Sequence, residues 1–226
     1  MPVTIQNLKN SGDAPRFVVV EGPIGVGKTS LATRLADSFS GELVLEHLTE
    51  NPFLERFYRS GRRAALPAQL FYLFQRARQI EELRQSDLFA PVRIADYMID
   101  KDRLFAELTL DREELALYDQ ICDKLDIDAP VPDLVIYLQA SVDTLLSRIA
   151  KRGISYERMI DRAYLEKLND AYARHFYSYD DAPLLIVNAS GIDLVHNDSD
   201  YERLFQQILR ISGGRHFFNS TAVALA

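Results

Sequence analysis

Short apolar runs alternate along the chain with longer stretches that are apolar on one side only. Phe17-Val18-Val19-Val20 is continuously apolar, ends in Glu21-Gly22, and reads as a strand covered on both faces. From Thr29 to Phe39 the apolar positions recur at helical spacing. Four more strand-like runs fall at 42–46, 92–95, 134–138 and 184–187. Helical patterns fill the intervals. A long one starts near Pro67, where proline suits a first turn, and others cover about 142–152, 164–176 and 201–211. Asp111 before Arg112-Glu113-Glu114 predicts a capped helix start with acids in the first turn. Strands alternating with helices predict an α/β fold: a five-stranded parallel sheet flanked by helices.

Composition narrows this picture. With 226 residues, 47% hydrophobic and 26% charged, the chain suits one domain with a real core. A polar arm (1–15) precedes the domain (16–212), and a partly apolar tail (213–226) follows it. The formal charge is −7 and the basic residues are scattered, so no nucleic-acid partner is expected, since phosphate backbones demand concentrated positive charge. The single cysteine, Cys122, lies on an apolar helical stripe with Leu115, Tyr118, Ile121 and Leu125 and is expected to pack in the core. The four histidines show no metal-ligand spacing. With no signal-peptide-like or membrane-spanning run, a cytoplasmic location without a membrane partner is expected.

The strongest chemical signal is Gly22-Pro23-Ile24-Gly25-Val26-Gly27-Lys28-Thr29, which fits G-x-x-x-x-G-K-[ST] between a buried strand and a helix. Its backbone N–H groups can wrap phosphates at a helix N-terminus, so Gly22, Ile24, Gly25, Val26, Gly27, Lys28, Thr29 and Ser30 are the expected ATP-binding residues. Lys28 would meet the β- and γ-phosphates, and the Thr29 hydroxyl would ligate Mg²⁺. The alternative is a glycine-rich turn that binds nothing. A phosphate loop alone does not separate kinase, GTPase and switch, but the guanine-reading N-K-x-D tetrapeptide is absent. Asp96, at the end of the third strand run, is the candidate second Mg²⁺ ligand, with a solvated strand-end aspartate as its bland alternative. Arg148, Lys151, Arg152, Arg158 and Arg162 cluster after the fourth strand, with Arg148 and Arg152 on one helical face. The stretch around 152–163 suits a lid whose arginines meet phosphoryl charge, although each arginine alone reads equally well as a solvated face.

Several further segments carry a resemblance. The chain resembles the deoxynucleoside kinases, especially their bacterial-type purine branch, over roughly residues 16–211. The likeness rests on the phosphate loop, Glu50-Asn51-Pro52-Phe53, Gln69, Arg76, Asp102-Arg103-Leu104-Phe105-Ala106 and Tyr164-Leu165-Glu166-Lys167-Leu168. It implies ATP-dependent phosphorylation of a deoxynucleoside 5′-hydroxyl, with Glu50 as the base and Lys28, Arg148 and Arg152 stabilising charge. Gln69 and Arg76 would contact the nucleobase, Asp102 would neutralise Arg76, and Tyr58 and Glu157 would hold the sugar 3′-hydroxyl. Deoxyadenosine is the expected substrate, then deoxyguanosine. Helices around 67–85 and 112–125 would carry a homodimer or a larger homo-oligomer.

Two positions depart from the family. Animal members carry Glu-Arg-Ser where this chain has Asp96-Tyr97-Met98, so the adjacent arginine is gone and Arg148 or Arg152 is expected to replace its charge. Ile154 stands where the lid would carry another arginine. Two alternatives stay open: a nucleoside monophosphate kinase, which shares the phosphate loop and Asp-Arg dipeptide, and a non-catalytic nucleotide-dependent switch.

Overall fold

Six short strands, all parallel, form one sheet in the order β2-β3-β1-β4-β5-β6. They are β1 (Phe17–Glu21), β2 (Glu42–Val44), β3 (Arg93–Ala95), β4 (Leu134–Gln139), β5 (Leu184–Asn188) and β6 (Arg215–Asn219). The structure is a computed structural model that describes residues 15–46, 51–85, 92–195 and 197–219. The arm up to residue 14 lies outside the described residues.

Five strands match the expected runs. The sixth corrects the expected count: Arg215–Asn219, in the presumed tail, pairs with β5 in parallel register. It escapes the apolar-run signal because it is an edge strand in which only Phe218 is buried, while Phe217 faces outward.

Eight α-helices are seen among the described residues: α1 (Lys28–Phe39), α2 (Leu54–Ser60), α3 (Ala65–Gln85), α4 (Asp100–Thr109), α5 (Arg112–Leu125), α6 (Val142–Arg152), α7 (Arg162–Tyr177) and α8 (Asp198–Ile208). Short 3-10 turns occupy Gly61–Ala64 and Tyr156–Met159. Asp111 caps α5 through a reciprocal capping box with Glu114. The main core lies where α1, α6, α7 and α8 cover the central strands, with Val18, Val20, Ile136 and Leu185 fully buried. A satellite core joins α3, α4 and α5 through Leu73, Ala106 and Tyr118, and partly buried Cys122 packs against it. Phe74 on α3 and Leu117 on α5 remain exposed. No described helix is long and apolar enough to cross a membrane.

The order of the strands positions the site. The chain passes from β1 to β2 on one side of the sheet, and from β3 it crosses β1 to β4 on the other side, so a crevice opens beyond the carboxyl ends of β1 and β3.

Candidate active site

The phosphate loop lies at that crevice. β1 ends at Glu21, and α1 begins with Lys28 after the turn. Gly22 has φ 148°, and a Cβ there would fall 2.5 Å from the Leu138 carbonyl oxygen, so only glycine lets the loop pass so close to β4. Gly27, at φ 108°, makes the left-handed step into α1. Ile24 to Ser30 line a cleft of about 780 Å³, while Gly22 sits behind it. The Lys28 Nζ donates to the carbonyls of Gly22 (2.8 Å) and Pro23 (3.3 Å). Burial, and then the charge of Lys101, lower the Lys28 pKa to about 8.

Three carboxylates stand at neighbouring strand ends: Glu21 closes β1, Glu46 follows β2, and Asp96 follows β3. The Thr29 hydroxyl donates to Asp96 Oδ2 at 2.5 Å, and the Glu46 amide donates to Asp96 Oδ1 at 2.8 Å. Asp96 therefore ties β2, β3 and α1 together. Thr29 and Asp96 present two oxygen donors in contact. Mg²⁺ typically takes one or two such protein ligands and fills its shell with phosphate and water oxygens, so this pair fits the ion. No cluster of three or more His, Cys, Asp or Glu side chains able to hold a metal occurs among the described residues. Glu21 is a structural knot beneath the loop, accepting from the amides of Gly22 and Met98 and from the Tyr172 hydroxyl.

The other wall comes from α3 and α4. Gln69, Tyr72 and Arg76 lie three to four residues apart on α3 and face the cleft. Arg76 is almost wholly buried and forms ion pairs with Asp102 and Glu46. Lys101, one residue before Asp102, donates to Glu46 Oε2 at 2.7 Å. Burial lowers the Arg76 pKa to about 10 and that of Lys101 to about 8. The Gln69 amide nitrogen donates to the Thr109 hydroxyl at 3.1 Å.

The stretch expected as a lid lines the far end through Arg152, Tyr156 and Glu157. Arg152 holds Glu157 through two hydrogen bonds, Nε to Oε2 (2.9 Å) and Nη2 to Oε1 (2.5 Å). Tyr58 stacks on Tyr156, beside Glu157, and burial drives its hydroxyl pKa well up. Arg148 reaches the carbonyls of Val26, Ala189 and Ile192 and so joins α6 to the phosphate loop and to the loop after β5. Arg162, at the edge of the lid, pairs with Asp143 and does not line the cleft.

Apart from Gly22, Glu50, Arg158 and Arg162, the structure brings the candidate residues to this cleft. Glu50 lies outside the described residues, and its neighbour Asn51 caps the following turn by accepting from the Phe53 amide. The loop 192–195 also lines the cleft. Sequence reasoning missed Glu46 and Lys101. Glu46 is one of several acids near a strand end, and Lys101 is one of many lysines beside an acid. Only the fold, which sets the first turn of α4 beside the end of β2, shows that they meet.

The deoxynucleoside kinase family model matches residues 18–211. The chain belongs to the deoxynucleoside kinase family. It is 39% identical over 196 residues to the deoxyguanosine kinase of Bacillus subtilis (strain 168), covering 83% of this chain and 93% of that one. It is 28% identical over 207 residues to a deoxyadenosine kinase of Lactobacillus acidophilus, covering 85% and 94% of the two chains. Among solved structures, the deoxyadenosine kinase from M. mycoides with products dCMP and a flexible dCDP bound matches with a TM-score of 0.75 and 25% identity. That match covers 86% of this chain and all of the other. The kinase cleft thus handles small-molecule nucleosides and nucleotides, with ATP as phosphate donor.

Proposed function

We propose that this kinase transfers the γ-phosphoryl group of ATP to the 5′-hydroxyl of a purine deoxynucleoside, deoxyguanosine ahead of deoxyadenosine, in deoxynucleotide salvage. The observation that carries this reading is the buried polar wall of Gln69, Arg76 and Asp102, facing the Thr29–Asp96 pair across one cleft. A buried polar set of this kind rejects ligands that leave it unpaired. One N–H of the Gln69 amide goes to Thr109, which leaves its oxygen to accept from a base and its second N–H to donate. Guanine offers N1–H and N2–H donors to such an acceptor and O6 and N7 to an arginine. Adenine offers a donor only at N6. The 39% identity to a deoxyguanosine kinase supports placing deoxyguanosine ahead of the deoxyadenosine expected from sequence.

The mechanism follows from charge. The phosphate-loop amides and Lys28 cradle the β- and γ-phosphates. Thr29 and Asp96 would hold Mg²⁺, which supplies charge neutralisation on the phosphate oxygens when bound. Two carboxylates are candidates for the base, Glu50 by family likeness and Glu46 by geometry. Glu46 is favoured, because its buried side chain already lines the cleft beside Asp96. As the 5′-oxygen bonds to phosphorus, its proton passes to this carboxylate and the bond to the departing ADP breaks. Tyr58 and Glu157 would bind the sugar 3′-hydroxyl, and Arg148 and Arg152 would turn to the phosphates on lid closure. The exposed Phe74 and Leu117 support a homodimer through α3 and α5, in the cytoplasm.

The test compares kcat/KM for deoxyguanosine, deoxyadenosine and guanosine with Mg-ATP as donor. The proposal expects deoxyguanosine to lead, with guanosine well behind. A lead for deoxyadenosine restores the order expected from sequence, and a pyrimidine preference rejects the purine reading.

A further inference from the structure

The cleft has to supply positive charge at two places: over the phosphates, where Lys28 stands, and at the acceptor hydroxyl. Tyr97, which stands where animal members carry an arginine, does not supply it. Its side chain lines a separate cavity of about 400 Å³ with Met98, Pro130 and Pro132. Arg148 is held by three carbonyls and Arg152 by Glu157, so each has to give up these contacts before it can turn to the phosphates on lid closure. Arg76 lies sealed between Glu46 and Asp102. Lys101 is different. It projects from the first turn of α4 into the cleft, nearly buried, and its hydrogen bond among the described residues is the one to Glu46. An ammonium has three donors, so two remain for a ligand.

We propose that Lys101 is a catalytic residue: its ammonium holds the Glu46 carboxylate at the 5′-hydroxyl and, opposite Lys28, contacts the transferring phosphoryl group. This inference rests on the kinase reading above and adds a residue to it. The geometry sets two ammoniums, partly buried Lys28 and nearly buried Lys101, on the lining of one cleft. Two cations lining one cleft repel when alone and are favourable around an anion. The phosphoryl group between them is that anion. During transfer the 5′-oxygen gains phosphorus, its proton goes to Glu46, and the electrons of the broken P–O bond leave with ADP. Lys101 spans both sites of change, holding the proton acceptor with one donor and the phosphoryl oxygens with the others.

The competing explanation is that Lys101 merely neutralises Glu46 and so props the Glu46–Arg76–Asp102 wall. The two differ in where the damage falls. Wild type, K101M and K101R are compared for kcat and KM, for deoxynucleoside binding without ATP by calorimetry, and for thermal unfolding. K101M is expected to lose about 10²-fold or more in kcat, the scale of one electrostatic transition-state contact. Its deoxynucleoside Kd is expected to stay within about threefold, because Lys101 does not touch the base, while K101R, which keeps the charge, recovers about tenfold or more of the loss. A kcat for K101M close to wild type overturns the proposal. So does a parallel loss of deoxynucleoside binding, which assigns Lys101 to the wall. If K101M does not fold, K101Q, which keeps a donor but no charge, takes its place under the same criteria. A wild type that phosphorylates no deoxynucleoside overturns the kinase reading and this inference with it. An active wild type with an unimpaired K101M overturns this inference alone.

Discussion

Glu46 and Glu50 are four residues apart, and the difference between them is environment. Glu46 is fixed from three sides: by its amide on Asp96, and by Arg76 and Lys101 on its carboxylate. A base must be positioned, and these contacts fix where the Glu46 carboxylate lies. E46Q is expected to lower kcat by about 10²-fold or more with substrate binding retained, whereas E50Q keeps most turnover. The reverse pattern, read from steady-state kinetics on both variants, returns the base to Glu50. Glu46 was hidden in the sequence because its partners come 30 to 55 residues later. The Arg76–Asp102 pair makes a second prediction at this scale. Breaking a buried ion pair from one side leaves an uncompensated charge, so D102A should destabilise the fold by about 3–5 kcal/mol. It should also weaken discrimination among bases. Chemical denaturation checks the first effect and relative kcat/KM the second; unchanged selectivity removes Asp102 from base recognition.

Elements were legible where the signal is local. The phosphate loop declares itself because its glycines, lysine and threonine lie within eight consecutive residues between a buried strand and a helix. The start of α5 is another case, since Asp111 and Glu114 cap each other over three residues. D111A should lower stability by about 1 kcal/mol through the lost cap and leave turnover unchanged, because the cap is remote from the cleft. A fall in turnover measured beside a denaturation curve would tie α5 to the site. The basic, glycine-containing stretch expected as a lid stands out in the sequence, but the Arg152–Glu157 clasp does not, because charge counting does not say which acid an arginine selects. Helix α4 carried the largest surprise. Its Asp102 was expected at the site, while Lys101, one position earlier, reads as an ordinary surface lysine until the fold buries it.

At the scale of the whole molecule, a strand order that opens a crevice beside β1 places the phosphate loop, Glu46 and Asp96 together. The alternation of strands and helices was enough to predict that class of fold. The sixth strand was missed because Arg215-His216-Phe217-Phe218-Asn219 has polar ends and follows Gly213-Gly214, so it reads as tail. It nonetheless covers one side of β5 along its whole length. Removing residues from 213 onward should expose that edge and bare the apolar strand Leu184–Asn188, lowering the unfolding temperature and promoting aggregation. Scanning calorimetry with light scattering tests this, and an unchanged transition would make β6 dispensable. The central claim is the reaction itself. Its most direct measurement is phosphoryl transfer from Mg-ATP to the four deoxynucleosides, guanosine, adenosine and the deoxynucleoside monophosphates, with the products identified by mass. The account predicts 5′-monophosphates from purine deoxynucleosides with equal release of ADP, and little from the ribonucleosides. Transfer to monophosphates alone, or tight ATP binding with no transfer to any acceptor, would contradict it.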